Sequence, residues 1–133
     1  MKKYIFKVDL DLKLNEKWLN DYIETRKVIL KFLGLKIIKI IYRPSAFRGM
    51  HFWFHCLSKK IIKPIEANKI QFLLNDDQGR VLINSYRIKR NIPWSRGNKL
   101  YSKVIWVKKH KCNCEFHQKI IREMREGQRA LIC

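Results

Sequence analysis

Apolar and polar residues alternate along residues 3–12. Lysines and aspartates occupy most of the intervening positions, and the apolar positions on the other side are Tyr4, Phe6, Val8, Leu10 and Leu12. A period of two is typical of a β-strand with one buried face. The pattern therefore predicts a strand that turns its apolar face to a core and its charged face away from it.

The rest of the chain continues this pattern of elements. Helical spacing follows Asn15, a plausible N-cap, and ends near Gly34. We predict strands over 35–42 and 50–57 around a turn at 43–49, a helix over 66–74, a strand over 81–88, a basic loop over 92–98, a strand over 100–108 and a helix over 117–129.

This order predicts an α+β fold. It reads β-α-β-β-α-β with an additional C-terminal strand and helix, an RRM-like, mostly antiparallel sheet with its helices on one face. The 133 residues fit a single domain. We expect a core over 1–90, followed by a basic loop, strand and helix over 91–133.

The sheet face opposite the helices can be predicted from the alternation. Aromatic, imidazole and cationic side chains on such a face suit single-stranded DNA or RNA, because bases stack on rings and phosphates meet cations. The alternative is that the C-terminal segment covers Trp53. The residues predicted on this face are Lys7, Asp9, Asp11, Lys39, Arg43, His51, Trp53 and His55.

The charge of the chain supports a polyanionic partner. The sequence has 30 Lys and Arg against 11 Asp and Glu, a formal net charge of +19. Residues 25–65 and 78–114 each hold ten cations and no acid. Segregated positive charge is typical of nucleic-acid-binding surfaces. Compositional bias and membrane-surface binding are the alternatives, although no strongly amphipathic basic helix is evident.

The cell compartment follows from what the sequence lacks. The longest stretch without a charged residue covers 49–58, far short of the roughly 20 residues that a membrane helix needs. The N-terminus becomes charged too early for a secretory signal. We expect an intracellular protein of the host cytoplasm with no membrane partner, and a homodimer is possible.

Two carboxylates are predicted close together on the first strand. Asp9 and Asp11 are separated by one residue, so that both side chains of a strand would leave the same face. Paired carboxylates are typical ligands of Mg²⁺ or Mn²⁺, with phosphate oxygens completing the shell. The alternative is two solvated acids paired with Lys7 or Lys39.

Two segments resemble motifs of the archaeo-eukaryotic primase superfamily. Residues 8–11 (Val-Asp-Leu-Asp) are similar to its metal-binding strand, and the turn from Pro44 to His51, with Ser45 and Gly49, is similar to its second motif. The resemblance covers about residues 4–90. It implies that Asp9 and Asp11 hold catalytic metal and that His51 contacts an incoming nucleotide.

The third motif of that superfamily is altered. Its later strand carries another Asp, and the corresponding position here is Asn84. Asp76 and Asp77 would replace it only if their loop folds back. The chain is also short, like small proteins with this core in archaeal viruses and plasmids. These departures favour retained binding over retained polymerisation.

The remaining candidate residues are phosphate-binding cations and a C-terminal cluster. Four potential zinc ligands lie within eight residues, at a spacing that does not fit familiar zinc fingers, so zinc is disfavoured. The alternatives to a zinc site are that Cys112 and Cys114 are free thiols or that they form disulfides with Cys56 or Cys133. The cluster is His110, Cys112, Cys114 and His117, and the further phosphate contacts are Ser45, Arg48, Arg87, Arg90 and Arg96.

Three functions are consistent with these patterns. The first is a nucleic-acid-binding protein of a mobile element, involved in replication, that grips a single strand on its basic and aromatic sheet face. The second is a minimal primase-like nucleotidyltransferase that uses Asp9, Asp11 and His51. The third is a basic structural or partner-binding protein without catalysis.

Overall fold

The computed structural model describes residues 1–12, 14–44 and 49–100, together with the backbone of 129–132. The chain is α+β, as the sequence predicts. Its described elements are β1 (Lys2–Leu10), α1 (Glu16–Phe32), β2 (Lys36–Pro44), β3 (Met50–Ser58), α2 (Pro64–Leu73), α3 (Gln78–Lys89), the single turn α4 (Trp94–Gly97) and β4 (Arg129–Ile132).

The sheet is antiparallel throughout its described part. Its strand order is β1-β3-β2-β4, and each neighbouring pair is antiparallel. Helix α1 carries the chain from β1 across to β2, and β3 then returns between them. This arrangement makes β3 a central strand, which agrees with its almost continuous apolar and aromatic sequence.

The core lies between one sheet face and the helices. Alternate residues of the strands point into it, as predicted for β1, and α1 adds Tyr22, whose hydroxyl donates to the Leu74 carbonyl at 2.6 Å. The Tyr22 and Phe52 rings lie 4.7 Å apart. The fully buried side chains of this core include Phe6, Val8, Ile23, Leu30, Ile40, Phe52, Phe54, Cys56 and Leu74.

The predicted strand over 81–88 is wrong, because this segment is the middle of α3. Asp77 caps the helix by accepting a hydrogen bond from the Arg80 N–H at 3.0 Å. The less exposed residues recur at helical spacing, and two of them, Asn84 and Ser85, are polar. Their polarity hides the period of 3.6, while the Val and Ile content imitates a strand. The β-α-β-β-α-β order is therefore not the order found in the described residues.

Two strand boundaries also differ from prediction. β1 ends at Leu10, so Asp11 and Leu12 lie beyond it, and β2 continues to Pro44, so Arg43 belongs to the strand rather than to the turn. Gly49 lies opposite the end of β1. Its φ of 96° is not a strand conformation, and a Cβ there would clash with the Leu10 carbonyl oxygen, so the backbone before β3 packs directly against the end of β1.

Some predicted elements cannot be compared. The expected strand over 100–108 and most of the expected helix over 117–129 lie outside the described residues. The short strand β4 at the edge of the sheet was not predicted. Among the described residues, no helix is long and apolar enough to cross a membrane.

Candidate nucleic-acid interface

Nine residues form three rows across the sheet on the face opposite the core. In each row, one residue of the central strand β3 is paired with one residue of β1 and one residue of β2. Successive rows are two residues apart along each strand, so that all nine side chains leave the same face. We call this set the sheet-face grid. Strand spacing makes it about 10 Å wide and about 13 Å long. Its rows are Asp9–His51–Arg43, Lys7–Trp53–Ile41 and Ile5–His55–Lys39.

Trp53 lies at the centre of the sheet-face grid and is partly exposed. The Arg43 guanidinium lies over its ring at 5.2 Å from the centroid. The His51 ring approaches it edge-on, with the ring centroids 6.1 Å apart. Both neighbours hold the indole in place by cation–π and edge-to-face contacts. The Arg43 Nε is itself buried and has no hydrogen-bond partner among the residues that the structure describes. The Arg43 guanidinium occupies one face of the indole, and its partly exposed remainder is the part available for stacking.

Asp9 pairs with His51 at one end of the grid. Its carboxylate Oδ1 lies 3.4 Å from His51 Nε2, and the two side chains are 35% and 14% exposed. Asp11 follows the strand instead of standing beside Asp9 on it. The pairing of the Asp9 and Asp11 carboxylates on one strand face therefore stays a prediction. Among the described residues, no three His, Cys, Asp or Glu side chains gather at one point.

Cations surround the centre of the grid. Lys7, Lys39 and Arg43 occupy three of its nine positions, and Asp9 is its one carboxylate. Burial and, to a smaller extent, the nearby charges of Arg80 and Lys99 lower the pKa of Lys7. A neighbouring polyanion would relieve this repulsion, because an opposite charge favours the protonated amine.

The far row of the grid is less accessible than predicted. His55 is only 8% exposed, whereas Ile5 in the same row is 37% exposed, so the covered part of this row is the imidazole. Its Nδ1 is buried, and no described residue offers it a hydrogen bond. Burial first, and then the charges of Lys39 and Lys3, lower the pKa of the imidazole. His55 is thus a poor stacking surface but a pH-sensitive neighbour of Lys39.

A buried polar network covers the outer edge of β1, and no local pattern in the sequence indicates it. Gln71 Oε1 accepts from the Lys7 N–H at 2.9 Å, and Asp76 Oδ1 accepts from the Asp9 N–H at 2.8 Å. Asn98 joins the network by donating to Gln71 Oε1 at 2.8 Å. These side chains take the place of a neighbouring strand and block edge pairing with another chain.

Arg80 holds the network together. Its Nε lies 3.1 Å from Asp76 Oδ1, and its other nitrogens donate to the Lys99 carbonyl and to Asn98 Oδ1, each at 2.7 Å. The Asp76 carboxylate is 0% exposed. Burial raises the pKa of Asp76, while Arg80 and the two backbone donors act in the opposite direction.

Asp76 and Asp77, the two carboxylates considered as replacements for the third-motif Asp, are both engaged within the protein, since Asp77 caps α3. The loop that carries Asp76 does fold back to β1, but its carboxylate is occupied by Arg80 and by backbone N–H groups. Asn84 lies on α3, where its Nδ2 donates to Asn98 Oδ1 at 3.3 Å. Neither residue adds a carboxylate to the exposed side of Asp9. The sequence signal for the ion pair of Asp76 with Arg80 is their spacing of four residues, about one helical turn.

The other predicted phosphate contacts are not part of the grid. Arg87 donates to the Gly97 carbonyl at 2.8 Å and so joins α3 to α4. Arg90 stacks over the Tyr86 ring at 5.6 Å, and Arg96 is exposed on α4. The remaining site predictions lie outside the described residues: Ser45, Arg48, His110, Cys112, Cys114 and His117.

Comparison of the chain with protein-family models, with curated proteins and with solved structures finds no match.

Proposed function

We propose that the protein binds single-stranded nucleic acid on the sheet-face grid. The observation that carries the proposal is Trp53, a partly exposed indole at the centre of an antiparallel sheet, held by Arg43 and His51 and flanked by Lys7. An aromatic ring supplies stacking to any base, and the surrounding cations supply the attraction to phosphate. The net charge of +19 gives the long-range part of that attraction.

Single strands fit this face better than a duplex does. Bases in a duplex are stacked on each other, so a flat sheet would reach mainly phosphates, and Trp53 would have no partner. In a single strand the bases are free to stack on an aromatic ring. The contacting residues would be Trp53, Arg43, Lys7 and Lys39, with His51 beside the central base. Such binding suits the replication of a mobile element, as the primase-like resemblance implies.

The second candidate, nucleotidyl transfer, is less well supported by the donor set. Mg²⁺ in polymerase-like sites is held by one or two carboxylates and by substrate phosphates. Asp9 is the carboxylate within the grid, Asp11 directly follows the end of β1, and Asp76 is already paired with Arg80. With Asp76 engaged in this way, the donor set supports a two-metal centre, in which both ions need anionic ligands, less well than it supports binding. We therefore propose binding without catalysis.

The experiment that tests the proposal compares two tryptophans. Trp53→Ala removes the central ring, and Trp18→Ala removes an indole that is 59% exposed on α1, away from the grid. Base stacking contributes about 1–3 kcal/mol by alanine substitution. This corresponds to a loss of roughly 5- to 150-fold in affinity for Trp53→Ala.

Fluorescence anisotropy of a labelled oligothymidylate measures this loss at fixed salt. Trp18→Ala is the matched control and should bind like the wild type. The wild-type affinity should fall steeply with rising salt, because bound phosphates release counterions. Equal affinities for the two variants, or equal affinity of the wild type for a duplex of the same length, would contradict the proposal.

A further inference from the structure

An apolar groove runs between α2 and α3, on helices rather than on the sheet face. Its volume is about 740 Å³. The lining residues recur at helical spacing on both helices, so the groove follows their length. Its described lining residues are Ile65, Asn68, Lys69, Phe72 and Leu73 from α2, and Gln78, Val81, Leu82, Ser85 and Lys89 from α3.

The apolar side chains of the groove are unusually exposed. Ile65, Phe72, Leu73 and Leu82 are each between 50% and 64% exposed. A contiguous apolar surface of this kind is typical of an interaction site, whereas single exposed apolar residues are ordinary. The groove extends over the twelve residues from Gln78 to Lys89, which corresponds to about 18 Å, or just over three helical turns. This length fits a short helix laid along it.

The charges at the groove select the partner. Both charged residues of its lining, Lys69 and Lys89, are cations and are exposed. A second copy of this chain would bring the same lysines, and a further charge of +19, against them. An amphipathic helix with acidic flanks would instead place its apolar side chains on Phe72 and Leu82 and its carboxylates near the lysines.

Asn68 adds a polar anchor in the floor. It is 3% exposed, and its amide nitrogen donates to the Val81 carbonyl and to Ser85 Oγ. These bonds join α2 to α3 and keep the two walls of the groove at a fixed separation. A groove with a fixed width is prepared for a helix without rearrangement.

We propose that the α2–α3 groove is the docking site for an amphipathic helix with acidic flanks that belongs to another protein. The protein would then hold nucleic acid on its sheet and a protein partner on its helices. The two surfaces are built from different elements, so this inference does not depend on the proposed nucleic-acid binding.

The test uses the full chain and three labelled 18-residue peptides. The first has leucines along one helical face with glutamates beside them, the second is its scrambled version, and the third has lysines in place of the glutamates. Anisotropy at about physiological salt should show saturable binding of the first peptide, at least 10-fold tighter than either of the others. If the scrambled peptide, which has the same net charge, binds equally tightly, then charge alone explains the binding and the proposal is overturned.

Two variants locate the binding. Leu82→Ser and Phe72→Ser should each weaken the glutamate peptide by 5-fold or more. Phe32→Ser is the matched control, because Phe32 is 89% exposed on α1 outside the groove, and it should leave the affinity unchanged. Circular dichroism verifies that all variants fold. An unchanged affinity in both groove variants would overturn the proposal.

Two further outcomes would assign the groove to a different occupant, and both would overturn the proposal. One is a dimer in sedimentation that Leu82→Ser dissociates, since a second copy would then fill the groove. The other is displacement of the glutamate peptide by an unlabelled peptide of residues 115–128 of this chain.

Discussion

Removal of the buried Asp76 carboxylate should lower the free energy of unfolding, because this carboxylate holds the polar network that covers the outer edge of β1. Asp76 accepts hydrogen bonds from the backbone N–H groups of Asp9 and Asp77, at 2.8 and 3.0 Å, and pairs with Arg80 at 3.1 Å. Asp76→Ala removes all of these acceptors at once. The Arg80 guanidinium, whose side chain is only 15% exposed, then loses its counter-charge.

The size of the effect follows from burial. Breaking a buried ion pair by removing one partner costs about 3–5 kcal/mol, because the other charge stays buried without compensation. Arg80 keeps its bonds to the Lys99 carbonyl and to Asn98, which favours the lower end. We expect a loss of about 3 kcal/mol in the free energy of unfolding, a large fraction of the roughly 5–15 kcal/mol that holds a domain together.

Urea denaturation followed by circular dichroism measures this loss. Asp77→Ala is the control, because Asp77 is exposed and caps α3, and a lost N-cap costs about 1 kcal/mol. In a double-mutant cycle, Arg80→Met should cost much less in the Asp76→Ala background than in the wild type, with a coupling of about 2 kcal/mol. The reasoning is refuted if Asp76→Ala costs no more than Asp77→Ala, or if the cycle shows no coupling.

Three further predictions concern the sheet. Gly49→Ala should lower the free energy of unfolding in urea by about 2–4 kcal/mol, because a φ of 96° is strained for other residues and the new Cβ would meet the Leu10 carbonyl. Gly34→Ala is the control, at a φ of 78° with open space around it, and should cost about 1 kcal/mol, so equal losses would contradict this reasoning. The free energy of unfolding should fall as the pH drops below about 6.5, because the lowered pKa of His55 makes the folded state bind a proton less tightly than the unfolded state does. His55→Gln should make the free energy of unfolding depend less steeply on pH, and an unchanged dependence would show that His55 is not its source. Asp9→Asn should bind oligothymidylate as tightly as the wild type or more tightly, because it removes the one carboxylate of the grid; weaker binding in anisotropy would indicate a bridging metal.

Periodicity predicted the parts of the fold in which each element buries one apolar stripe. The alternation around Phe6 and Val8 and the helical spacing of α1 both appear in the structure close to their predicted positions. The same alternation predicted which residues of β3 point away from the helices. Register then adds what the pattern alone lacks, namely that Asp9 stands beside His51 and that Lys7 stands beside Trp53.

The parts that sequence reasoning missed depend on polar residues that pack inward. Asn84 and Gln71 are 1% and 0% exposed, yet both are residue types expected at the surface. The hydrogen bonds of Gln71 are satisfied by Asn98 and by the backbone of β1, and the Asn84 Nδ2 donates to Asn98, although the Asn84 Oδ1 is buried with no partner among the described residues. Partners that lie 14 to 64 residues away in the sequence leave no local signal, so the local pattern of α3 resembles a strand and gives no sign of the covered edge of β1.

Photo-crosslinking tests the central claim, binding on the sheet-face grid, most directly. An oligonucleotide that carries 5-bromouracil is irradiated with the wild-type protein, and the crosslinked peptide is sequenced by mass spectrometry. The account predicts that the main crosslink falls on Trp53 in β3 and is lost at high salt. A main crosslink on Trp18 or Trp94, with Trp53 unmodified, would contradict it.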